Sequence, residues 1–144
     1  MIFSKLGSSR FVLRLEKGDD IVQTLRKFAE DHGIRAGFFE GIGSLYKANL
    51  GHYDFQTKTY KHETFEDDLE IITLSGNIAI MDKHIIPHAP ATLGRRDFSV
   101  IGGHLDENSI ANMVEIGLEK LPGKLVKARD KEVGLNLLQL SRRS

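Results

Sequence analysis

Arg10–Leu15 alternates, with Phe11, Leu13 and Leu15 on one side and Arg10, Val12 and Arg14 on the other, the period of a strand with one buried face. Lys17-Gly18-Asp19 turns the chain, and from Asp20 the period changes. Ile21, Leu25, Phe28 and Ala29 fall at helical spacing, Asp20 and Gln23 suit a capping box, and Gly33 stands where a helix ends on a left-handed residue. The segments that follow read as strands. Ala36–Ile42 leads through Gly43 into Ser44–Asp54, and a polar connection runs from Tyr53-Asp54 to about Lys61. Leu69–Ile80 is rich in β-branched residues and long for one strand, so Gly76 at its middle marks a bulge or bend. Asp82-Lys83 turns it. Strands near Ala89–Leu93 and Ser99–His104 flank a hairpin at Gly94–Asp97, and strands over Ile110–Leu118 and Leu135–Leu140 follow, separated by a loop at Pro122-Gly123.

One early helix followed by adjacent strands predicts an α+β fold: a single domain over residues 1–144 with a central, mostly antiparallel sheet, since parallel strands would each need a crossover. A long sheet leaves edges to cover, and assembly into an oligomer is one way to cover them.

Composition narrows the chemistry. The 144 residues contain no cysteine, which excludes disulfides, thiolate metal sites and a cysteine nucleophile, and suits a reducing cytoplasm. No apolar run approaches the ~20 residues of a membrane span and the N-terminus lacks the pattern of a secretory signal, so a soluble cytoplasmic protein is expected. Lys and Arg number 20, as do Asp and Glu, so no global field drives the chain onto phosphate backbones or anionic membranes.

Gly41-Ile42-Gly43 invites a nucleotide-loop reading, but the third glycine of that fingerprint falls on Tyr46 and no helix opens there. A strand-to-strand turn needing positive φ is the better account. The histidines say more. His88 stands at a strand start and His104 follows Gly102-Gly103, and imidazole is the commonest metal ligand left to a chain without thiolates. Zinc is therefore the candidate cofactor, yet catalytic zinc takes three protein ligands and this pair supplies two. His84 shares the parity of His88 but lies ~13 Å away along a strand unless Pro87 breaks it. His52, His62, Glu115 or a residue of another subunit are the alternatives.

Arg95 and Arg96, at a hairpin tip, are the candidate nucleic-acid contacts. Lys120, Lys124, Lys127, Arg129 and Lys131 are interspersed with Glu119, Asp130 and Glu132 and read as a solvated face. Glu63, Glu66, Asp67, Asp68 and Glu70 would repel a nucleic-acid backbone on the same side.

Several segments then converge in order: Phe39-Glu-Gly-Ile-Gly-Ser44, Ala48-Asn-Leu-Gly-His-Tyr-Asp54, Leu69-Glu-Ile-Ile-Thr-Leu-Ser-Gly-Asn77, Pro87-His-Ala-Pro-Ala-Thr-Leu93, and Ile101-Gly-Gly-His-Leu105 followed by Glu115. From about Arg10 to Leu140 the chain resembles the plants-and-prokaryotes-conserved domain family. That resemblance implies an α+β domain assembled as a homotrimer, and a DNA-associated or regulatory module without settled biochemical activity. In land plants the similar domain accompanies an AT-hook that contacts the minor groove; no Arg-Gly-Arg-Pro core occurs here. The family often carries His-x-His before Gly-Gly-His, three imidazoles resembling the zinc site of acetolactate decarboxylase. The first maps to His88 and the third to His104, but the second falls on Pro90. The plant partner-contact segment reads Asp67–Ile72 here, with its charge reversed.

Three readings compete. The first is a trimeric, DNA-associated regulatory module. The second is a zinc-dependent enzyme or small-molecule binder at His88 and His104, with Glu115 as the candidate catalytic base or supporting carboxylate. The third is a structural trimer whose histidines only hydrogen-bond between subunits. The balance favours a non-enzyme.

Overall fold

The computed structural model describes residues 1–141. Its elements are β1 (Ile2–Leu6), β2 (Arg10–Leu15), α1 (Ile21–Asp31), β3 (Gly37–Asp54), β4 (Thr59–Phe65), β5 (Leu69–Met81), β6 (His84–His88), β7 (Pro90–Gly94), β8 (Val100–Leu105), β9 (Ile110–Lys120), β10 (Lys127–Arg129) and β11 (Asn136–Leu138). Every ladder between these strands is antiparallel. The expected α+β architecture is present as a single domain with one helix near the N-terminus among the described residues.

Helix α1 forms where the 3.6-residue period predicts it. Asp20 caps it by accepting from the Gln23 backbone N–H at 3.0 Å, and Gly33 beyond its end has φ 59°. Only half of the capping box forms, because the Gln23 side chain donates to Glu107 at 3.4 Å instead of reaching back. The helix buries Ile21, Val22, Leu25, Phe28 and Ala29, each large side chain worth roughly 1.5–3 kcal/mol of removal from water. Phe28 meets Phe11 of β2 edge-on at 5.3 Å and Phe3 of β1 at 5.1 Å, which fastens the helix to one end of the sheet.

The sheet runs β1-β2-β9-β3-β8-β7-β5-β6, with β4 paired to β3 and a further β3–β5 pairing that closes a ring of β3, β8, β7 and β5. Strand β3, 18 residues long, is shared by all of it. Its first half pairs β9 and β5, and its second half pairs β4 and β8. Gly41-Ile42-Gly43 is therefore not the expected turn. It lies inside one continuous strand, where the register with β5 shifts between Gly41 and Gly43, and Gly43, at φ 133°, lets β9 approach at Met113 and Val114.

Other expectations shift as well. The bulge in β5 falls between Ile71 and Thr73 rather than at Gly76. Gly76 instead leaves room for the His88 carbonyl and the Phe39 ring, which a Cβ there would strike. The polar connection after Tyr53-Asp54 is a short turn followed at once by β4, and β1 and β6 are strands that the hydrophobic period does not announce. His88 ends β6, and Pro90 rather than His88 begins the next strand. Asp82 and Lys83 do make a turn, both at positive φ, the primed geometry that suits a hairpin.

The expected strand over Leu135–Leu140 is shorter, Asn136–Leu138, and pairs with β10 in a separate two-stranded ribbon. Ile80 N–H donates to the Leu125 carbonyl at 2.8 Å, Tyr53 donates its hydroxyl to the Val133 carbonyl at 2.9 Å, and Lys58 Nζ donates to the Glu132 carbonyl at 2.7 Å. These bonds strap the ribbon between β5 and the β3–β4 end of the sheet.

Candidate functional site

Register assembles the site. His62 of β4 lies opposite Gly51 of β3, Gly51 opposite His104 of β8, and His104 opposite Pro90 of β7. Directly paired residues present their side chains to the same face, so the two imidazoles stand either side of a glycine that leaves the floor open between them. Gly51 has the His62 ring and Asp106 Oδ2 close above it. The break between β6 and β7, which run one after the other along β5, places the His88 ring on that of His104, with centroids 4.8 Å apart and planes 27° from parallel.

Asp106, just past the end of β8, joins the two outer imidazoles. His62 Nε2 is 2.8 Å from its Oδ2 and His104 Nε2 is 3.5 Å from its Oδ1. Tyr60 stacks on His62 at 5.6 Å. The ribbon supplies the opposite wall through Lys127, Arg129 and Leu137, enclosing a cleft of about 340 Å³.

The electrostatics follow from burial and one cation. Desolvation first, then the Lys127 charge, then His104, push the His88 pKa down to about 4. His104 is also held below its ordinary value, because burial outweighs the opposing attraction of Asp106 and is reinforced by Lys127 and His62. Both rings are neutral at neutral pH. Lys127 is itself lowered, by burial, and Tyr60 is raised by burial and by the neighbouring Asp106 charge. His104 Nδ1 is buried without a hydrogen-bond partner.

The structure thus brings together His88 and His104, as expected, and of the four residues considered as companions it adds His62. His84 is exposed at the start of β6 opposite Met81, and His52 has the opposite parity to Gly51. Glu115 lies on β9 between Arg14 and Ile42 and borders a different groove with Val12 and Ile72. Arg95 and Arg96 sit at the β7–β8 tip, tied to acidic neighbours: Arg95 Nε is 3.6 Å from Asp67, and Arg96 pairs with both Asp67 and Asp68. Lys127 departs most from its expected place on a solvated face, being only 8% exposed. Asp106 is a site residue that the sequence reading missed; the signal for it is that i and i+2 in an extended segment share a face, which places it with His104.

With the geometry in view, the comparisons are specific. A model of the Plants and Prokaryotes Conserved domain matches residues 4–122. The chain belongs to that family. Among solved structures, a candidate DNA-binding protein from Bacteroides thetaiotaomicron is 30% identical with a TM-score of 0.92, covering 98% of each chain. A metal-containing protein from Archaeoglobus fulgidus is 32% identical with a TM-score of 0.87, covering 97% of this chain and 99% of its own. The bifunctional protein GlmU of a Synechococcus strain is 37% identical over 101 residues, 69% of this chain. The chain spans only 15% of the length of that curated relative.

The metal-containing Archaeoglobus protein raises the question of metal, and the donors of this chain do not fit a resident zinc ion. Where the family pattern has its middle histidine, Pro90 lies directly opposite His104 and offers no donor. His88 and His104, with ring centroids 4.8 Å apart, supply two imidazoles, whereas a catalytic zinc takes three protein ligands. The ammonium of Lys127 already acts on both rings. Among the described residues no group of three or more His, Asp and Glu side chains is arranged to hold a metal.

The depressed pKa of His88 has a consequence for stability. An unfolded chain protonates this imidazole near 6.5, the folded chain near about 4, so between those values the unfolded state binds more protons. Stability is complete above 6.5 and falls as pH drops toward about 4. The wild-type urea midpoint should be lower at about pH 5 than at about pH 7, and the drop should be smaller in His88→Gln; an equal loss in both would assign the effect elsewhere.

Proposed function

We propose that the chain is a small-molecule-binding module of its family, working as a homotrimer, with its ligand held in the cleft between His88, His104 and Lys127. The observation that carries this reading is two neutral imidazoles and a buried ammonium converging on a single cleft of about 340 Å³, a size suited to a small metabolite. Zinc is the family-implied alternative, supported by the metal-containing relative and opposed by the donor set just described. The homotrimer is supported by the family resemblance and by an apolar face: Val12, Phe38, Ile42, Ile72 and Met113, on adjacent β2, β3, β5 and β9, are each between 42% and 62% exposed. These apolar side chains share the face with Glu40 and Glu115; a cluster of exposed apolar residues supports an association site, and a threefold ring closes through it without leaving an open end.

DNA association is the second reading, supported by the Bacteroides relative. Its charge must come from elsewhere than Arg95 and Arg96, which Asp67 and Asp68 neutralise.

Each part has its own measurement. The small-molecule ultrafiltrate of a cell lysate should shift the imidazole NMR resonances of His88 and His104; unmoved resonances remove the cleft reading. In sedimentation equilibrium the wild type should have the mass of three chains, and Ile42→Asp, with its circular dichroism retained, the mass of one. A wild type that sediments as a single chain removes the trimer. Random and AT-rich duplexes titrated at low and moderate salt test the second reading, since electrostatic affinity is greatest at low salt; no binding there ends it.

A further inference from the structure

Lys127 is the anomaly of this molecule. It is buried, at 8% exposure, yet no carboxylate among the described residues lies within ion-pairing distance, and burial is the cause acting on its ammonium. The one carboxylate bordering the cleft, Asp106, has its oxygens turned to His62 at 2.8 Å and His104 at 3.5 Å. A charge withdrawn from water without a partner is destabilising. Such a cost is kept where something outside the chain supplies the partner.

The surroundings define that partner. Arg129 adds a second cation to the same wall, Tyr60 adds a phenol, and His88 lines the cleft as a neutral ring able to donate one N–H, while His104 has its Nε2 turned to Asp106 and its Nδ1 buried. Positive charge and donors therefore outnumber acceptors around the space. Lys127 and Arg129 come from the β10–β11 ribbon, beyond residues 4–122 that the family model matches.

We propose that the cleft binds a small oxyanion, a carboxylate or a phosphate, with Lys127 Nζ as its principal contact, and that this ammonium supplies the positive charge for which the donor set holds no metal. The inference rests on the cleft being the ligand site, and it names the class of ligand. His88, as a neutral ring, donates a hydrogen bond to the same anion without adding charge, and Leu137 and Ile86 line the site with apolar surface, which strengthens the ion pair by lowering the local dielectric. The ribbon acts as the fixed arm that carries the cation to the sheet.

Acetate and inorganic phosphate, titrated separately at constant ionic strength against a chloride control, test it and distinguish the two anion classes. One of them should shift the His88 and His104 resonances saturably in metal-free protein. Lys127→Met should weaken that binding about tenfold or more, the scale of losing a charged hydrogen bond, while Lys127→Arg keeps most of it. Without ligand, Lys127→Met should raise the urea midpoint, because an unpaired buried charge is replaced by an apolar chain of similar length. Equal affinity in Lys127→Met overturns the proposal. So does saturable binding of neither anion, and so does anion binding that appears only after zinc is added and persists at one zinc per chain through dialysis. If the lysate ultrafiltrate moves the imidazoles while neither anion does, the ligand class is wrong and the cleft stands; if nothing moves them, both readings fall.

Discussion

Everything in this structure depends on one strand exchanging partners along its length. β3 is hydrogen-bonded to β9 and β5 over its first half and to β4 and β8 over its second, and an 18-residue strand cannot serve two pairs of neighbours without bending between them. The backbone at Gly43, with φ of 133°, and the register shifts around it provide that bend. Because β3 turns out of one layer into the next, β8 reaches its far half and the ring through β7 and β5 closes. The row His62, Gly51, His104 and Pro90 exists only because β4 and β8 flank this second half. The same constraint that shapes the sheet therefore positions the site.

What could be read from the sequence follows the distribution of burial. α1, β2, β5 and β9 each hide one face, and their periods are visible. β1 and β4 are exposed on nearly every residue, so no alternation exists for a pattern to show; their strand character comes from partners distant in sequence. β6 is interrupted by Pro87, which usually marks an end to pairing, and here lies opposite Ile78 at the margin of the sheet. At the site, His88 and His104 were legible through the order of motifs, while Asp106 was missed although its parity with His104 could have marked it. Lys127 was not, because a lysine among alternating charges carries no mark of burial when the ribbon's docking is set by Tyr53 and Lys58, some seventy residues away.

Net charge of zero conceals an uneven distribution. The acidic stretch around Asp67 and Asp68 folds against Arg95 and Arg96 and cancels locally, both partners being largely at the surface, where such pairs contribute little to stability. In the cleft the balance is different. Asp106 is engaged by imidazoles, Lys127 has no carboxylate to meet, and the low dielectric of its position makes the imbalance count for far more than an equal imbalance in solvent. A chain can be neutral overall and strongly polarised at one place.

The division of labour between sheet and ribbon follows from these terms. His88, His104 and His62 are fixed by ladders of the central sheet, whose core of Phe28, Phe39, Leu45, Leu74 and Ile78 is fully buried, so their spacing cannot change without disturbing that packing. The cation arrives on a two-stranded ribbon with three residues in each strand, held to the sheet mainly by backbone and side-chain hydrogen bonds. Substitution in the ribbon changes the charge facing the imidazoles while leaving the core untouched. The framework thus sets where the rings stand, and the strap sets what they face.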